Sequence, residues 1–127
     1  MGLDQYALHI DAKYVRKDCQ TDFDGVNPDL FENFHQWRKH SNLQGWMEKL
    51  YQDKGGFKVP FNCAKVRVTF ADLEKLKEAV MANELPETQG FFFGVSTPED
   101  MLDDLEFIQK AKTLIKEGKV IIYDSWW

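Results

Sequence analysis

The segment from residue 37 to residue 47, WRKHSNLQGWM, combines aromatic, cationic and amide side chains that can recognise a planar anion. Tryptophan rings stack on planar ligands, arginine presents paired N–H donors to phosphate oxygens, and amides hydrogen-bond to base edges. We therefore predict a pocket for a small anionic aromatic ligand of nucleotide-like chemistry. The candidate ligand-binding residues are Trp37, Arg38, His40, Asn42, Gln44 and Trp46.

The same segment has an alternative interpretation that needs no ligand. Trp37 and Trp46 would anchor a corner of the core while Arg38 and Lys39 point into solvent. Because consecutive residues of a helix cannot share one face, only a few of these side chains can line one pocket.

Trp126 and Trp127 form a second aromatic pair. On a strand their side chains point to opposite faces, so one packs inside and the other is exposed. An exposed tryptophan is suited to a contact with a partner protein or a second copy of the chain. We predict both residues as candidate partner contacts, and the alternative is that they close the core.

The sequence contains no complete catalytic motif. The serines lie outside any G-x-S-x-G pattern, and the glycine pair Gly55-Gly56 lacks the spacing of a phosphate-binding loop. This favours a binding protein over an enzyme. A small enzyme that uses His9, His35 or His40 as an acid–base group remains the alternative.

Metal-ligand patterns are incomplete in the same way. Glu32-x-x-His35, on a helix, would supply one half of a di-iron site, but the second half is missing. The segment from Asp22 to Asn27 departs from the calcium loop and is typical of a turn. We predict no metal and no cofactor.

Acidic residues are concentrated between positions 99 and 106. They would form either a negative docking surface for a nucleic-acid-binding protein or a favourable charge at a helix N-terminus. The second interpretation is preferred, because Lys110, Lys112 and Lys116 follow at the other end of the same segment.

Length and composition indicate one globular domain, residues 1–127, with 43% hydrophobic and 14% aromatic residues. A net charge of −5 argues against bulk attraction to nucleic acid or anionic membranes. Cys19 and Cys63 are too few for a disulfide framework, so we expect free thiols. No apolar run approaches the roughly 20 residues of a membrane-spanning helix.

Hydrophobic periodicity predicts an α+β (or α/β) domain with about four strands and about four helices, in the order β-α-α-β-α-β-α-β. Pro28 is expected to begin a helix that ends near Lys39, and a capping box of Ser41 and Gln44 to begin the next, so that Trp37 to Trp46 forms a helix–turn–helix corner. The predicted strands are 3–11, 65–70, 91–93 and 119–124, and the predicted helices are 28–39, 41–55, 71–83 and about 98–117. Ser96 or Thr97 is expected to be the N-cap of the last helix. The side chains of that helix that are expected to face the core are Leu102, Leu105, Ile108, Ala111 and Ile115.

Four blocks of the chain together resemble a family of small proteins common in bacteriophage genomes. They are MGLDQY at the start, WRKH with GWM at 37–47, LPETQGFFFG at 85–94 and YDSWW at 123–127. Members often carry the label "phosphoglycerate kinase", an enzyme that needs two large domains, which 127 residues do not supply.

The resemblance implies a phage origin and transfers no active site. We therefore expect a non-enzymatic accessory protein in the cytoplasm of the host cell that binds a nucleotide-like molecule and sequesters a host signalling nucleotide. The alternative from a different class is an interaction module that inhibits a host protein. A homo-oligomer is compatible with either.

Overall fold

The computed structural model describes residues 2–88 and 97–127, and within them the chain forms a four-stranded sheet and three α-helices. The α+β class is therefore confirmed. The elements are β1 (Asp4–Asp11), β2 (Glu32–Arg38), α1 (Ser41–Asp53), β3 (Val66–Val68), α2 (Phe70–Met81), α3 (Asp100–Lys116) and β4 (Lys119–Trp126). Short 3-10 turns occupy Ala12–Tyr14 and Pro28–Leu30.

All strand pairs are antiparallel, and the strand order is β2-β1-β4-β3. β1 and β4 pair along their whole length, from Asp4 opposite Trp126 to Asp11 opposite Lys119. The sheet is covered on both faces. Ala7 and Tyr123 belong to the large core beneath the helices, while Ile10 and Ile122 pack against the segment that connects β1 to β2. This explains why β4 is apolar on both faces.

The predicted helix from Pro28 to Lys39 is wrong. Pro28 begins only a single 3-10 turn, which Asn27 caps by accepting a hydrogen bond from the Asp29 N–H at 3.0 Å. The chain then runs as strand β2, in which buried His35 and Trp37 alternate with the exposed Gln36 and Arg38. Pairing with β1 therefore outweighs the local preference of proline for the first turn of a helix.

The segment from Trp37 to Trp46 is consequently a strand-to-helix junction and not a helix–turn–helix corner. Lys39 turns the chain in the left-handed region, with φ of 60°. α1 begins at Ser41 as predicted, but its N-cap is His40 and it has no side-chain cap. The capping box of the fold lies instead at the start of α2, where Thr69 and Asp72 exchange hydrogen bonds.

The inward face of α3 differs in part from the prediction. Ile108 and Ala111 are buried, whereas Leu102 is 74% exposed. Asp104 and Phe107 complete the buried stripe, which has normal helical spacing. The helix ends as predicted before Gly118, whose φ of 88° favours glycine. The predicted strand at 91–93 and the predicted cap at Ser96 lie outside the described residues. The alternative cap, Thr97, is wrong, because α3 begins at Asp100 with Glu99 at the N-cap position and no side-chain cap.

Two further findings concern the cysteines and the apolar character of the helices. Cys19 and Cys63 are free thiols, as expected. In the described part of the chain, no helix combines the length and the apolar character needed to cross a membrane.

Candidate ligand-binding site

Three carboxylates at the start of α3 face β2 and the residues that follow it. Asp100, Asp103 and Asp104 have the i, i+3, i+4 spacing of one helix face. Together they form what we call the carboxylate row. Opposite the row lie His35 and Trp37, which share a face of β2, and His40 just beyond the strand. The acidic run is therefore not only a solvated charge at a helix N-terminus.

Asp104 is the most buried member of the carboxylate row, with 1% of its surface exposed. Its Oδ1 accepts a hydrogen bond from the Trp37 indole N–H at 3.0 Å, and its Oδ2 lies 2.8 Å from His40 Nε2. Burial raises the pKa of Asp104; the contacts with His40 and Trp37 oppose this rise, and the nearby Asp100 adds to it. The site thus contains a carboxylate that is costly to ionise.

His40 is held by its backbone as well as by its ring. The side-chain amide of Gln5 accepts a hydrogen bond from the His40 N–H at 2.9 Å and donates one to the His40 carbonyl, also at 2.9 Å. The ring Nδ1 lies 3.6 Å from Asp100 Oδ2, on the side opposite Asp104. With 2% of its surface exposed, His40 has a fixed imidazole between two carboxylates.

A cavity of about 480 Å³ opens beside this imidazole. Its polar lining includes Asn42, Asn83, Thr97 and the carboxylates of Asp100 and Asp104, and its apolar lining consists of Val80, Leu85, Pro98 and Met101. The volume lies in the range of roughly 300–1,000 Å³ that is usual for small-molecule sites. An apolar wall with a few polar groups on one side is also typical of such sites.

The structure divides the six predicted ligand-binding residues among different surroundings. His40 and Asn42 line the cavity, and Trp37 lies behind it as the hydrogen-bond donor to Asp104. Arg38 is exposed, with its Nε 3.7 Å from Asp4 Oδ1. Trp46 is half-buried against the large core. The aromatic and cationic groups that the sequence groups together therefore do not meet in one pocket.

Gln44, the remaining residue of that set, belongs to a buried polar network. Its Nε2 donates to the Phe61 carbonyl at 3.1 Å and to Ser125 Oγ at 3.0 Å, and its Oε1 accepts from the Tyr123 hydroxyl. These contacts occupy the amide that the predicted capping box required. Burial raises the pKa of Tyr123, so its hydroxyl stays protonated and acts as a donor.

The two C-terminal tryptophans differ in exposure, but only Trp126 belongs to strand β4, so the predicted alternation along a strand does not explain the difference. Trp126 is 61% exposed at the end of β4. Trp127 is half-buried, and its indole N–H donates to the Phe61 carbonyl at 3.0 Å. A partner contact through Trp126 stays a prediction.

The predicted pairing of Glu32 with His35 depends on a helix, and these residues lie on a strand. Three residues of strand span roughly 10 Å, so the two side chains do not converge. Glu32 instead lies 3.3 Å from His9, and His35 lies 3.1 Å from Asp103 Oδ1.

Sequence analysis missed Asp100 and Asp104 as site residues. The available signal was the spacing of three carboxylates on one helix face together with the buried Phe107 on that helix. What the spacing does not show is which strand lies opposite, because Asp104 and His40 are 64 residues apart.

Comparison of the chain with models of known protein families, with curated proteins and with solved structures finds no match.

Proposed function

We propose that the protein is a small-molecule-binding domain whose ligand occupies the cavity beside His40. The observation that carries this proposal is a cavity of about 480 Å³ whose lining combines apolar side chains with the carboxylates of Asp100 and Asp104. The ligand would have a planar apolar body and an edge of N–H donors directed at Asp100. A nucleobase has both properties, so we propose a nucleotide-like ligand whose base points into the cavity.

The orientation follows from the charges of the lining. The described lining contains Asp100 and Asp104 and no lysine or arginine. A phosphate group inside the cavity would face these carboxylates and would be repelled. The base would therefore enter first, and the phosphate would stay at the mouth of the cavity.

Asp100 is the group best placed to select the base. Its side chain is 25% exposed, and its Oδ2 already accepts a hydrogen bond from the Thr97 N–H at 2.7 Å. That contact fixes the carboxylate at the start of α3. Adjacent N–H donors, as on the pairing edge of guanine, suit a carboxylate because charge-assisted hydrogen bonds are the stronger kind.

The resemblance to a phage family supports the biological part of the proposal. A non-catalytic pocket for a base would let an accessory protein sequester a host nucleotide during infection. The chain would then act by its concentration and affinity and not by turnover.

The proposal is tested by titrating guanosine, adenosine and cytidine monophosphates into the protein by calorimetry, with inorganic phosphate as the probe for the anion alone. We expect the guanine compound to bind most tightly and phosphate to bind no more than weakly. Asp100→Asn should weaken guanosine monophosphate binding about tenfold or more, because a hydrogen bond to a charged group contributes roughly 1.5–3 kcal/mol.

The matched control is Asp103→Asn, which removes the same charge from the same helix outside the cavity. We expect this variant to bind like the unmodified chain. Equal losses in both variants would indicate a general effect of charge and would contradict the proposal, as would absence of binding by every nucleotide.

The geometry also favours a second candidate, an acid–base enzyme. Asp104 holds His40 Nε2 at 2.8 Å and directs the other ring nitrogen toward Asp100, which lines the cavity. A carboxylate that orients a histidine is common in general acid–base catalysis. Conversion of a bound nucleotide, followed by NMR and lost in His40→Gln while binding persists, would favour this candidate over simple sequestration.

A further inference from the structure

We propose that His35, Asp103 and Glu106 form a binding site for a divalent transition-metal ion of the zinc type. One ligand atom from each residue lies within 4.8 Å of the others. His35 comes from β2, and the two carboxylates come from α3, where positions i and i+3 share a face. The site departs from the sequence analysis, which predicts no metal.

His35 Nε2 is the atom that points to a ligand. His35 is 8% exposed, and its Nε2 has no hydrogen-bond partner among the described residues. The atom lies only 3.1 Å from Asp103 Oδ1, but the angle does not permit a hydrogen bond. A buried polar atom without a partner is rare, because it loses its hydrogen bond to water and gains none in the protein. A cation bound by both His35 Nε2 and Asp103 Oδ1 would account for their short separation and for an angle that does not suit a hydrogen bond.

The distances require only a small rearrangement. Ligand atoms bonded to zinc at roughly 2.0–2.2 Å lie about 3.3 Å from one another in a tetrahedral site. His35 and Asp103 already satisfy this separation. Glu106 is the exposed member, so its side chain is the one that would move inward. Metal binding would draw it away from Lys110, whose Nζ lies 3.4 Å from Glu106 Oε1.

The ligand set determines the class of ion. One imidazole nitrogen with two carboxylate oxygens suits Zn²⁺, Co²⁺, Fe²⁺ or Mn²⁺ better than Ca²⁺ or Mg²⁺, which prefer oxygen ligands alone. Three protein ligands leave a position open for water. The ion would join β2 to α3 and so stabilise the packing of the carboxylate row against the sheet.

This inference is independent of the proposed ligand cavity. None of the three metal ligands belongs to the described lining of that cavity. Loss of one site would therefore leave the other intact.

The test is a titration of the full chain with Zn²⁺ alone, by calorimetry and by ¹⁵N NMR of the imidazole nitrogens. We expect one ion per chain and a large shift of the His35 Nε2 signal. Asp103→Asn and Glu106→Gln should each weaken binding about tenfold or more, since each removes a ligand. Glu117→Gln removes a charge from the exposed end of the same helix and should leave the affinity unchanged.

Two results would overturn the proposal. One is a His35 signal that does not move at saturating Zn²⁺. The other is an equal affinity in Asp103→Asn and Glu117→Gln, which would indicate binding elsewhere, with the exposed thiol of Cys63 as the first candidate. Because Asp103 and Glu106 are partly or largely exposed, both variants should fold, and circular dichroism checks this directly.

Discussion

Two buried carboxylates, Asp72 on α2 and Asp104 on α3, have opposite surroundings although their helices pack against each other. Asp72 accepts hydrogen bonds from the ammonium group of Lys54 and from the Thr69 N–H. Among the described residues, Asp104 accepts a hydrogen bond from the Trp37 indole N–H and lies 2.8 Å from His40 Nε2. Within that part of the chain, Asp72 has a lysine as its partner and Asp104 has no lysine or arginine beside it.

The pKa values of the two groups shift in opposite directions for this reason. Burial alone would raise the pKa of Asp72, but the hydrogen bonds from Lys54 and Thr69 outweigh it and lower the pKa. Burial raises the pKa of Asp104, and its partners do not compensate. Buried carboxylates with a cation and a capping role are structural. A carboxylate with a raised pKa at the wall of a cavity is typical of a functional site.

The largest expected effect is the loss of the cation beside Asp72. Lys54→Met would leave a buried carboxylate without its partner and should lower the free energy of unfolding by about 3 kcal/mol. Lys49→Met is the control, since Lys49 is exposed and forms an exposed ion pair with Asp53, and it should change stability by less than about 0.5 kcal/mol. Urea denaturation measures both, and equal effects would contradict the structural role of Lys54.

A smaller effect is expected when Asp104 loses its indole donor. Trp37→Phe keeps an aromatic ring but removes the N–H that donates to Asp104 Oδ1, and should cost about 2 kcal/mol. Trp126→Phe, at an exposed position, should cost less than about 0.5 kcal/mol. If the two variants were equally stable, the Trp37–Asp104 hydrogen bond would not contribute to the fold.

Neutralising Asp104 itself should cost still less. Asp104→Asn keeps an oxygen that accepts from Trp37 and removes a charge that burial disfavours, so we expect a loss of about 1 kcal/mol near neutral pH. Chemical denaturation of Asp104→Asn and of Lys54→Met under the same conditions compares the free energy of unfolding lost in the two regions. A loss above that of Lys54→Met would show that the Asp104 charge is as well compensated as that of Asp72.

The pH dependence of stability should differ in sign between the two carboxylates, because their pKa values shift in opposite directions. Asp72 has a folded pKa below its ordinary value of 3.8, so its stabilisation is complete above that value and is lost as the pH falls through the folded pKa. Asp104 has a folded pKa above 3.8, so its contribution is complete below that value and is lost as the pH rises through the folded pKa.

Urea denaturation of the unmodified chain, Asp72→Asn and Asp104→Asn between about pH 6 and pH 3 measures these slopes. On acidification, the stability difference between the unmodified chain and Asp72→Asn should shrink. The free energy of unfolding of the unmodified chain should rise relative to that of Asp104→Asn as the pH falls. If the stability difference changed with pH in the same direction for both variants, the two carboxylates would not differ as proposed.

Local patterns were sufficient for β1, α1, α2 and β4, because alternation, amphipathic spacing and turn residues act within each segment. They failed for β2, where Pro28 favours a helix start but pairing with β1 decides the outcome. They also missed Thr69 as the cap of α2.

The candidate site was predictable only in part for the same reason. His40 and Asn42 line the cavity, and both came from the composition of one short segment. Arg38 and Gln44 belong to the same segment, but Arg38 is exposed at the end of β2, and Gln44 lies on the buried face of α1, where it contacts Phe61 and Ser125. Asp100 and Asp104 reach the site through the packing of α3 on β2, which no local pattern encodes.

The most direct test of the ligand cavity is an ¹⁵N NMR titration with guanosine monophosphate, in the unmodified chain and in Asp100→Asn. The account predicts shifts concentrated at His40, Asn42, Asn83 and Met101, and much weaker shifts in the variant. Absence of shifts at millimolar ligand, or shifts that Asp100→Asn leaves unchanged, would contradict it.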